Sequence, residues 1–347
     1  MYTVLPKKTL IINILDILKK YTDAEHRLSQ KEIVEILERD YEIKAERKSV
    51  KRNLMNLVDF GYDVKYSETA RVNERGEEET ICTDWYLKRD FSDAELRMII
   101  DGLLFSKSIP YKQCRSLIER ITRLSNQYFK SRVKHIRNMP EDMPGNKELF
   151  RNIGILDEAI EKKRKIRFLY NDFGADGKLH PRADKNGRPH KYVINPYQMA
   201  ATNGRYYLIC NYEGHDNAAH YRIDRITGIE LLEAPARPMR ELQDFKNGPN
   251  LPKHMAEHIY MFAGASGGVT FRAKKCVIGE IIDWFGKGVR FSNESDDEIT
   301  AFVTVNLEAM RCWAMQYARF VKILSPESLA EQIKNDIRSV AEKYGVL

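Results

Sequence analysis

The chain has 347 residues, of which 43% are hydrophobic and 31% are charged, and its formal net charge is +7. This composition excludes an intrinsically disordered chain, and the length predicts two or three domains rather than a single core. The basic excess is modest and is compatible with anionic partners.

Two further features indicate the compartment. No run of eighteen apolar residues occurs, so we expect no membrane span, and we interpret the N-terminus as an amphipathic helix of a cytoplasmic protein. The five cysteines are scattered and form no C-x-x-C motif, which indicates reduced thiols in a reducing compartment.

Residues 1–90 are predicted to form three helices followed by a β-hairpin. Apolar residues recur at helical spacing over 10–18, a capping box at 29–32 begins a second helix, and a third covers 46–60 and ends at Gly61. The segments "YDVKY" and "TDWYL" then indicate the two strands of a hairpin. This order is the outline of a winged helix-turn-helix.

The third helix has one apolar face, with Val50, Leu54 and Leu57, and one polar face. Five basic residues stand against one acidic residue over 44–52. Such a face fits the major groove, so it predicts DNA binding, and the alternative is a solvated charged face. The candidate DNA-binding residues are Arg47, Lys48, Ser49, Lys51, Arg52 and Asn56, with Arg52 and Asn56 at base edges, Lys51 at phosphate, and Lys48 and Ser49 at either.

Residues 91–148 are predicted to be a helical linker. Ser92 and Glu95 form a capping box, Pro110 begins another helix, and eight basic residues stand against one acidic residue over 111–137. This segment could link domains, dimerise or touch the DNA backbone, and a solvated helix with a basic tail is equally compatible. Two prolines and a glycine over 138–146 indicate a domain boundary.

Residues 149–238 begin with a helix and continue as short strands, which indicates a small, strongly bent β-barrel. The strands are "KIRFLY", "KYVINPY", the hairpin "NPYQMAATNGRYYLIC" and "AHYRIDRI". The turn of the hairpin is Asn203-Gly204, a pair that favours two-residue turns because both central residues need positive φ.

This region resembles the WYL domain, a family named for a Trp-Tyr-Leu triplet. The triplet here is Tyr206-Tyr207-Leu208, so the first aromatic residue differs, and "RIDRI" at 222–226 is the more specific match. Further matching positions are Tyr170, 195–197 and 203–205.

The resemblance covers nearly the whole chain and implies a multidomain α+β fold. The implied domains are a winged helix-turn-helix (1–90), a helical linker (91–148), an Sm-like β-barrel WYL domain (149–238) and a ferredoxin-like α/β C-terminal extension (239–347). The last region fits because its pattern reads strand, helix, two strands, helix, strand, helix.

Members of this family are mostly bacterial or phage transcription regulators that act as homodimers. The resemblance therefore implies a ligand-responsive regulator, expected to be a repressor, that binds a double-stranded DNA operator and is no enzyme. Its WYL domain is expected to sense a nucleic-acid fragment or a nucleotide. The alternative is an accessory WYL protein that binds single-stranded nucleic acid and modulates a defence nuclease.

Arginines and tyrosines on neighbouring strands of this region suit a short anionic ligand that carries a base. Arginine supplies forked donors to phosphate, and tyrosine supplies a stacking face. The alternative is that Asp224 simply pairs with Arg222 or Arg225. The candidate ligand-binding residues are Arg205, Tyr207, Arg222 and Arg225, with Tyr170, Arg182, Tyr197 and His220 at the rim.

The segment "HMAEH" at 254–258 matches the H-x-x-E-H pattern of zinc proteases. On a helix, His254 and His258 would share a face, but no third ligand is apparent on a following helix. No Ser-His-Asp or Cys-His arrangement can be assigned either. We therefore expect no metal, no cofactor and no catalytic residues.

Overall fold

The computed structural model describes residues 9–72, 76, 78–133, 146–246, 248 and 250–346. The chain forms two compact units, the first from 1–106 and 111–143, and the second from 107–110 and 144–347. None of the described helices is long and apolar enough to cross a membrane. The secondary structure is mixed, with helices at the N-terminus and three separate antiparallel sheets among the described residues, so the chain has a multidomain α+β fold.

The first unit begins with three helices and a hairpin, as the sequence predicts. They are α1 (Leu10–Tyr21), α2 (Gln30–Tyr41), α3 (Arg47–Asp59), β1 (Val64–Val72) and β2 (Glu78–Leu87). The two strands are antiparallel. The apolar stripes of the helices pack against the base of the hairpin, where Trp85 is fully buried.

The ends of these helices follow the local sequence signals. The Ser29 hydroxyl accepts from the Glu32 amide and the Glu32 carboxylate accepts from the Ser29 amide, so the predicted capping box is confirmed. At the end of α3, Gly61 has φ of 91° and the Tyr62 N–H donates to the Leu57 carbonyl. This left-handed residue ends α3 and directs the chain into the hairpin.

Three further helices complete the first unit: α4 (Asp93–Phe105), α5 (Tyr111–Thr122) and α6 (Gln127–Arg132). Asn126 fixes α6, because its Oδ1 accepts from the amides of Tyr128 and Phe129 while its Nδ2 donates to Asp23 at 2.6 Å. The His26 ring stacks on Tyr128 with centroids 3.6 Å apart. The predicted linker is therefore joined to the loop that follows α1. Most of the predicted boundary at 138–146 lies outside the described residues.

The second unit contains one helix over a six-stranded antiparallel sheet. The elements are α7 (Leu149–Glu161), β3 (Arg164–Phe173), β4 (Leu179–Pro181), β5 (Lys191–Thr202), β6 (Arg205–Tyr212), β7 (Ala219–Arg222) and β8 (Ile226–Pro235). The order is β4-β3-β5-β6-β7, and β8 pairs with β3. Leu156 and Ala159 of α7 are fully buried in the core with Phe168 and Leu208 of the sheet.

The predicted barrel is not closed, because no pairing of β7 with β8 occurs among the described strands. These strands are consecutive, yet β7 pairs with β6 and β8 pairs with β3. A 3-10 turn, Ile223–Arg225, connects them and packs against both β3 and β6. The Arg222 N–H donates to the Tyr170 hydroxyl at 3.2 Å across this gap. A short turn and a side-chain hydrogen bond therefore lie at the position where a closed barrel would have backbone pairing between strands.

The Asn203-Gly204 hairpin has the predicted geometry. Asn203 has φ of 52° and Gly204 has φ of 71°, and Thr202 pairs with Arg205. The Asn203 Nδ2 also donates to the Ile259 carbonyl at 2.8 Å. This bond ties the tip of the hairpin to the segment that leads into the C-terminal part of the unit.

The remaining elements are α8 (Leu251–Glu257), β9 (Ser266–Lys274), α9 (Ile278–Phe285), β10 (Arg290–Ser292), β11 (Glu298–Asn306), α10 (Leu307–Gln316), β12 (Val321–Ser325) and α11 (Glu327–Lys343). The sheet is antiparallel with the order β10-β11-β9-β12. From β9 to β12 the elements follow a β-α-β-β-α-β order. Phe271 and Trp313 are fully buried between this sheet and its helices.

Three histidines join α8 to β7. The Nε2 atoms of His220 and His254 are 2.8 Å apart, and the rings of His254 and His258 stack with centroids 4.0 Å apart. Burial, together with the neighbouring imidazoles, lowers the pKa of His220 to about 3 and that of His254 to about 4. Within the described ranges, no group of three His, Cys, Asp or Glu residues is arranged to hold a metal ion.

We predict that the protein loses stability as the pH falls from 6.5 towards 4. His220 and His254 stay neutral when folded, whereas the unfolded chain binds protons on both below a pH of about 6.5. Together they should lower the free energy of unfolding by about 4 kcal/mol between pH 7.5 and pH 5. Urea denaturation at the two pH values measures this loss, and His254→Gln should reduce it by about half. An unchanged pH dependence in that variant would contradict the assignment.

Candidate nucleic-acid and ligand sites

The outer face of α3 is polar, basic and open to solvent. Among the predicted DNA-binding residues, Arg47, Lys48, Arg52 and Asn56 are exposed, and Ser49 and Lys51 are half-buried. None of the four basic side chains has an ion-pair partner in the part of the chain that the structure describes. Lys44, in the same basic segment, differs because it pairs with Glu38 at 3.7 Å. The charges of α3 are therefore available to an anion.

The start of α3 presents first-turn amides that no side chain caps, beside the carboxylate of Glu46. Glu46 occupies the N-cap position and makes no side-chain hydrogen bond to the first turn. The amides of that turn carry the partial positive charge of the helix dipole, and backbone N–H groups at this position bind phosphate oxygens. Arg47, Lys48 and Ser49 lie at this end of the helix.

The hairpin beside α3 is not basic. Its described part exposes Glu68, Glu78 and Glu79, against Lys65 and Arg71. Lys65 is moreover paired with Asp63 at 2.6 Å. The negative charges of these glutamates repel phosphate. The candidate nucleic-acid surface of this unit is therefore α3 rather than the described part of the hairpin.

The second group of predicted residues lies on β6 and β7. Tyr206 and Leu208 pack into the core of the six-stranded sheet, so Arg205 and Tyr207 lie on its other face. Tyr207 is directly opposite Arg222 on β7, which puts these two side chains on the same face. The predicted division between core and outward residues of this hairpin is therefore observed.

An arginine cluster, consisting of Arg182, Arg225 and Asp172, lies beside the 3-10 turn. Arg182 donates to both oxygens of Asp172 at 2.7 and 3.1 Å, and Arg225 Nη1 donates to Oδ1 at 3.1 Å. Arg182 also lies 4.9 Å from the centre of the Tyr170 ring. The hydrogen bonds from Arg182 lower the pKa of the Asp172 carboxyl group. Asp172 and Arg182 are about half exposed, whereas Arg225 is mostly buried, so the cluster reaches solvent on the side of Arg182.

Arg222 differs from that group because it lies in a buried ion pair, and its predicted ligand-binding role stays a prediction. Its Nε and Nη2 donate to the two carboxylate oxygens of Asp224 at 3.0 and 2.6 Å. The side chains are only 14% and 7% exposed. The pairing that the sequence left as an alternative is the one observed, because the carboxylate two residues away matches the guanidinium fork. Arg222 is a positioning residue for the turn.

Three asparagines hold the backbone that follows this turn. Asn171 Nδ2 donates to the Arg225 carbonyl at 2.8 Å and to Thr227 Oγ1 at 2.9 Å. Asn146 and Asn152 both donate to the Ile226 carbonyl. Sequence reasoning missed these residues and Asp172. The available signal was that Asn is unfavourable inside strands and helices, so Asn171 in β3 and Asn152 in α7 need a specific reason.

Two predicted rim residues lie elsewhere. Tyr197 packs in a separate cluster with Leu242 and Phe245, and burial raises the pKa of its hydroxyl. A register shift between Pro196 and Gln198 separates Tyr197 from the alternation of the strand. His220 faces α8, as described above. Neither residue has a described contact with the arginine cluster, and their predicted place at the rim of the ligand site stays a prediction.

The remaining residues can bind an anion and a ring. Arg225 Nε is buried and has no hydrogen-bond partner among the described atoms, and two guanidinium groups share one carboxylate, which leaves a positive charge. Burial raises the pKa of Tyr207, so its hydroxyl stays protonated near neutral pH. Forked donors beside a neutral phenol suit a phosphate and an attached base.

We predict that Arg222→Ala destabilises the second unit by about 3–5 kcal/mol, because it leaves the buried Asp224 carboxylate without compensation. Arg182→Ala is the control: its partner Asp172 is half exposed, so the loss should stay below about 1 kcal/mol. Urea denaturation measures both. Equal losses would contradict the assignment of Arg222 to a buried pair, and replacing both partners by apolar residues should recover most of the stability.

The comparisons with known proteins concern the second unit most directly. Residues 151–231 match the WYL domain family. No curated protein matches this chain. Among solved structures, proteasome accessory factor B/C (PafBC) of Arthrobacter aurescens is 14% identical with a TM-score of 0.29. The match covers 99% of this chain and 51% of the PafBC chain. This chain therefore spans about half the length of that protein. A structure described as a CRISPR Cas-related protein is 13% identical with a TM-score of 0.38. That match covers 99% of this chain and 88% of the other. Residues 151–231, which contain most of α7 and most of the six-stranded sheet, thus form a WYL domain.

Proposed function

We propose that this protein is a ligand-responsive transcription regulator, acting as a repressor, that binds duplex DNA through α3. Its WYL domain would sense a nucleotide or a short nucleic-acid fragment through the arginine cluster and Tyr207. The observation that carries the proposal is that the described residues give the basic side chains of α3 no ion-pair partner, while a different unit contains a WYL domain in which two arginines share one half-exposed carboxylate.

The chemistry of α3 supports the DNA-binding part. Arg52 and Asn56 are exposed one turn apart, and arginine and asparagine form bidentate hydrogen bonds with guanine and adenine. Lys51 is half-buried at the edge of this face, where phosphate is the nearer target. A homodimer would place two copies of α3 on half-sites roughly 34 Å apart.

The arginine cluster supports the sensing part. A phosphate would accept from Arg182 and Arg225 in place of the Asp172 carboxylate, and the base would stack on Tyr207. Such a ligand changes DNA binding only if it binds the DNA-bound and free states with different affinities. The three asparagines and the Arg222–Asp224 pair hold the backbone of the turn, so the site is preformed on its protein side.

We predict that Arg52→Ala weakens binding to a specific operator by about 1–3 kcal/mol, because a bidentate contact to a base is lost. Lys51→Ala should weaken specific and non-specific binding alike and reduce the salt slope of the affinity by about 0.9. Fluorescence anisotropy with labelled duplex measures both, and Lys343→Ala on α11 is the control. Unchanged affinity in Arg52→Ala would show that α3 does not read the operator.

We predict that Arg225→Ala weakens the binding of a short 5′-phosphorylated single-stranded oligonucleotide by about 10- to 100-fold, since hydrogen bonds to charged groups contribute 1.5–3 kcal/mol. Duplex affinity without the oligonucleotide should not change. Arg167→Ala is a matched control, because Arg167 lies on β3, the strand that carries Asp172, and pairs with Glu230 at the surface. An unchanged affinity for the oligonucleotide in Arg225→Ala would show that the ligand binds away from this cluster.

The acidic hairpin favours a second candidate, an accessory protein that binds single-stranded nucleic acid and modulates a defence nuclease. DNA-contacting wings carry positive charge, whereas the described hairpin exposes more acidic than basic residues. Binding of duplex and single strand by the same protein separates the candidates. Tight, sequence-specific duplex binding supports the regulator, and a general preference for single strands supports the accessory protein.

A further inference from the structure

The carboxylate of Asp172 bonds to the two arginines of the cluster and to no other side chain in the part of the chain that the structure describes. Arg182 donates to it at 2.7 and 3.1 Å, and Arg225 donates to it at 3.1 Å. The Asp172 side chain is 50% exposed. Ion pairs that water reaches contribute little to stability, because both charges are well solvated when they separate. Asp172 can therefore leave the two guanidinium groups at small cost.

The two arginines are held in place by contacts that do not involve Asp172. The Arg182 N–H donates to the Tyr170 carbonyl at 2.9 Å, and the Arg182 guanidinium lies over the Tyr170 ring. On the turn, the Arg225 carbonyl accepts from Asn171 Nδ2 at 2.8 Å. Departure of the carboxylate therefore leaves both guanidinium groups near their present positions.

The arginine cluster offers more charge and more donors than one carboxylate uses. Two guanidinium groups share a single negative charge, so one positive charge remains. Arg225 Nε is also buried and has no hydrogen-bond partner among the described atoms. A terminal phosphate has three strong acceptor oxygens and a charge of about −1.5 to −2 at pH 7. It therefore neutralises the cluster more completely than Asp172 does.

A phosphate in the interior of a strand lacks this advantage. It is a diester with one negative charge, so its exchange for the Asp172 carboxylate replaces one monoanion by another. Asp172 also belongs to the same chain as the arginines, and an intramolecular group competes at an effective concentration of about a millimolar or more. A singly charged phosphate gains no additional attraction that would offset this competition.

We propose that Asp172 is an internal competitor of the ligand, and that a terminal phosphate monoester displaces it whereas an internal phosphodiester does not. This role rests on the proposed function, because it concerns the same arginines. It adds a threshold to the site: the carboxylate occupies the position of the phosphate until a doubly charged group arrives. Free phosphorylated ends are thereby distinguished from continuous strands.

Removal of the competitor is the first test. The probe is a tetrathymidine with a 5′-phosphate and a 3′-fluorescein, and anisotropy with the full chain measures its affinity. Asp172→Asn should bind the probe about ten-fold more tightly, since two partly exposed ion pairs no longer have to break. The matched control is Glu230→Gln, which removes the same charge and releases Arg167 of the same strand from its surface pair. The control should bind like the parent.

The charge of the ligand is the second test. The same strand with a 5′-methyl phosphate has one charge less, and the parent protein should bind it at least about ten-fold more weakly, because charge-assisted hydrogen bonds weaken with the charge of the acceptor. A 5′-thiophosphate keeps both charges and is bulkier than the phosphate. It should bind like the phosphate, which separates the effect of charge from that of size.

The sign of the Asp172→Asn effect decides between a competitor and a residue that orients the arginines. An affinity equal to or weaker than that of the parent would overturn the proposal, and so would an equal gain in Glu230→Gln or equal binding of the phosphate and the methyl phosphate. Failure of the proposed function gives a different result. In that case the probe binds neither the parent nor Asp172→Asn, or Arg225→Ala leaves its affinity unchanged.

Discussion

The Arg222–Asp224 ion pair fixes the turn on which the candidate ligand site depends. It is almost completely buried and bidentate, and it closes over the 3-10 turn between β7 and β8. Burying two charges is unfavourable unless the geometry is close to ideal, so such a pair specifies one conformation more than it adds stability. That conformation carries Arg225 to the edge of β3, where Arg182 and Asp172 complete the arginine cluster.

The Arg222–Asp224 pair gives the two arginines of this segment different roles. In the "RIDRI" segment, the first arginine pairs with Asp224, whereas the second has a buried Nε with no partner among the described atoms, beside a solvent-accessible carboxylate. Asn171, Asn146 and Asn152 hold the backbone on the far side of the turn. Charged donors on a fixed backbone require little reorganisation when an anion binds, which is the physical advantage of this arrangement.

Local signals predicted most of the elements, whereas long-range contacts decided the site. The Ser29 capping box, the Gly61 stop and the Asn203-Gly204 turn depend on a few neighbouring residues, and the structure contains all three. Strand alternation correctly placed Tyr206 and Tyr207 on opposite faces. Alternation cannot show which arginine meets a buried carboxylate, how a bulge displaces Tyr197, or that His220 meets a histidine 34 residues away. The prediction of a closed barrel was wrong because closure depends on whether β7 and β8 pair with each other, which the pattern of each strand does not show.

The central claim is that a ligand in the WYL domain and DNA on α3 are linked. The most direct test measures the affinity of the full chain for a duplex selected from random sequences, with and without a saturating short 5′-phosphorylated single strand. The account predicts a change of about 5- to 150-fold in duplex affinity, and a reciprocal change in the affinity for the short strand. Tight binding of both ligands, with each affinity unaffected by the other, would contradict it.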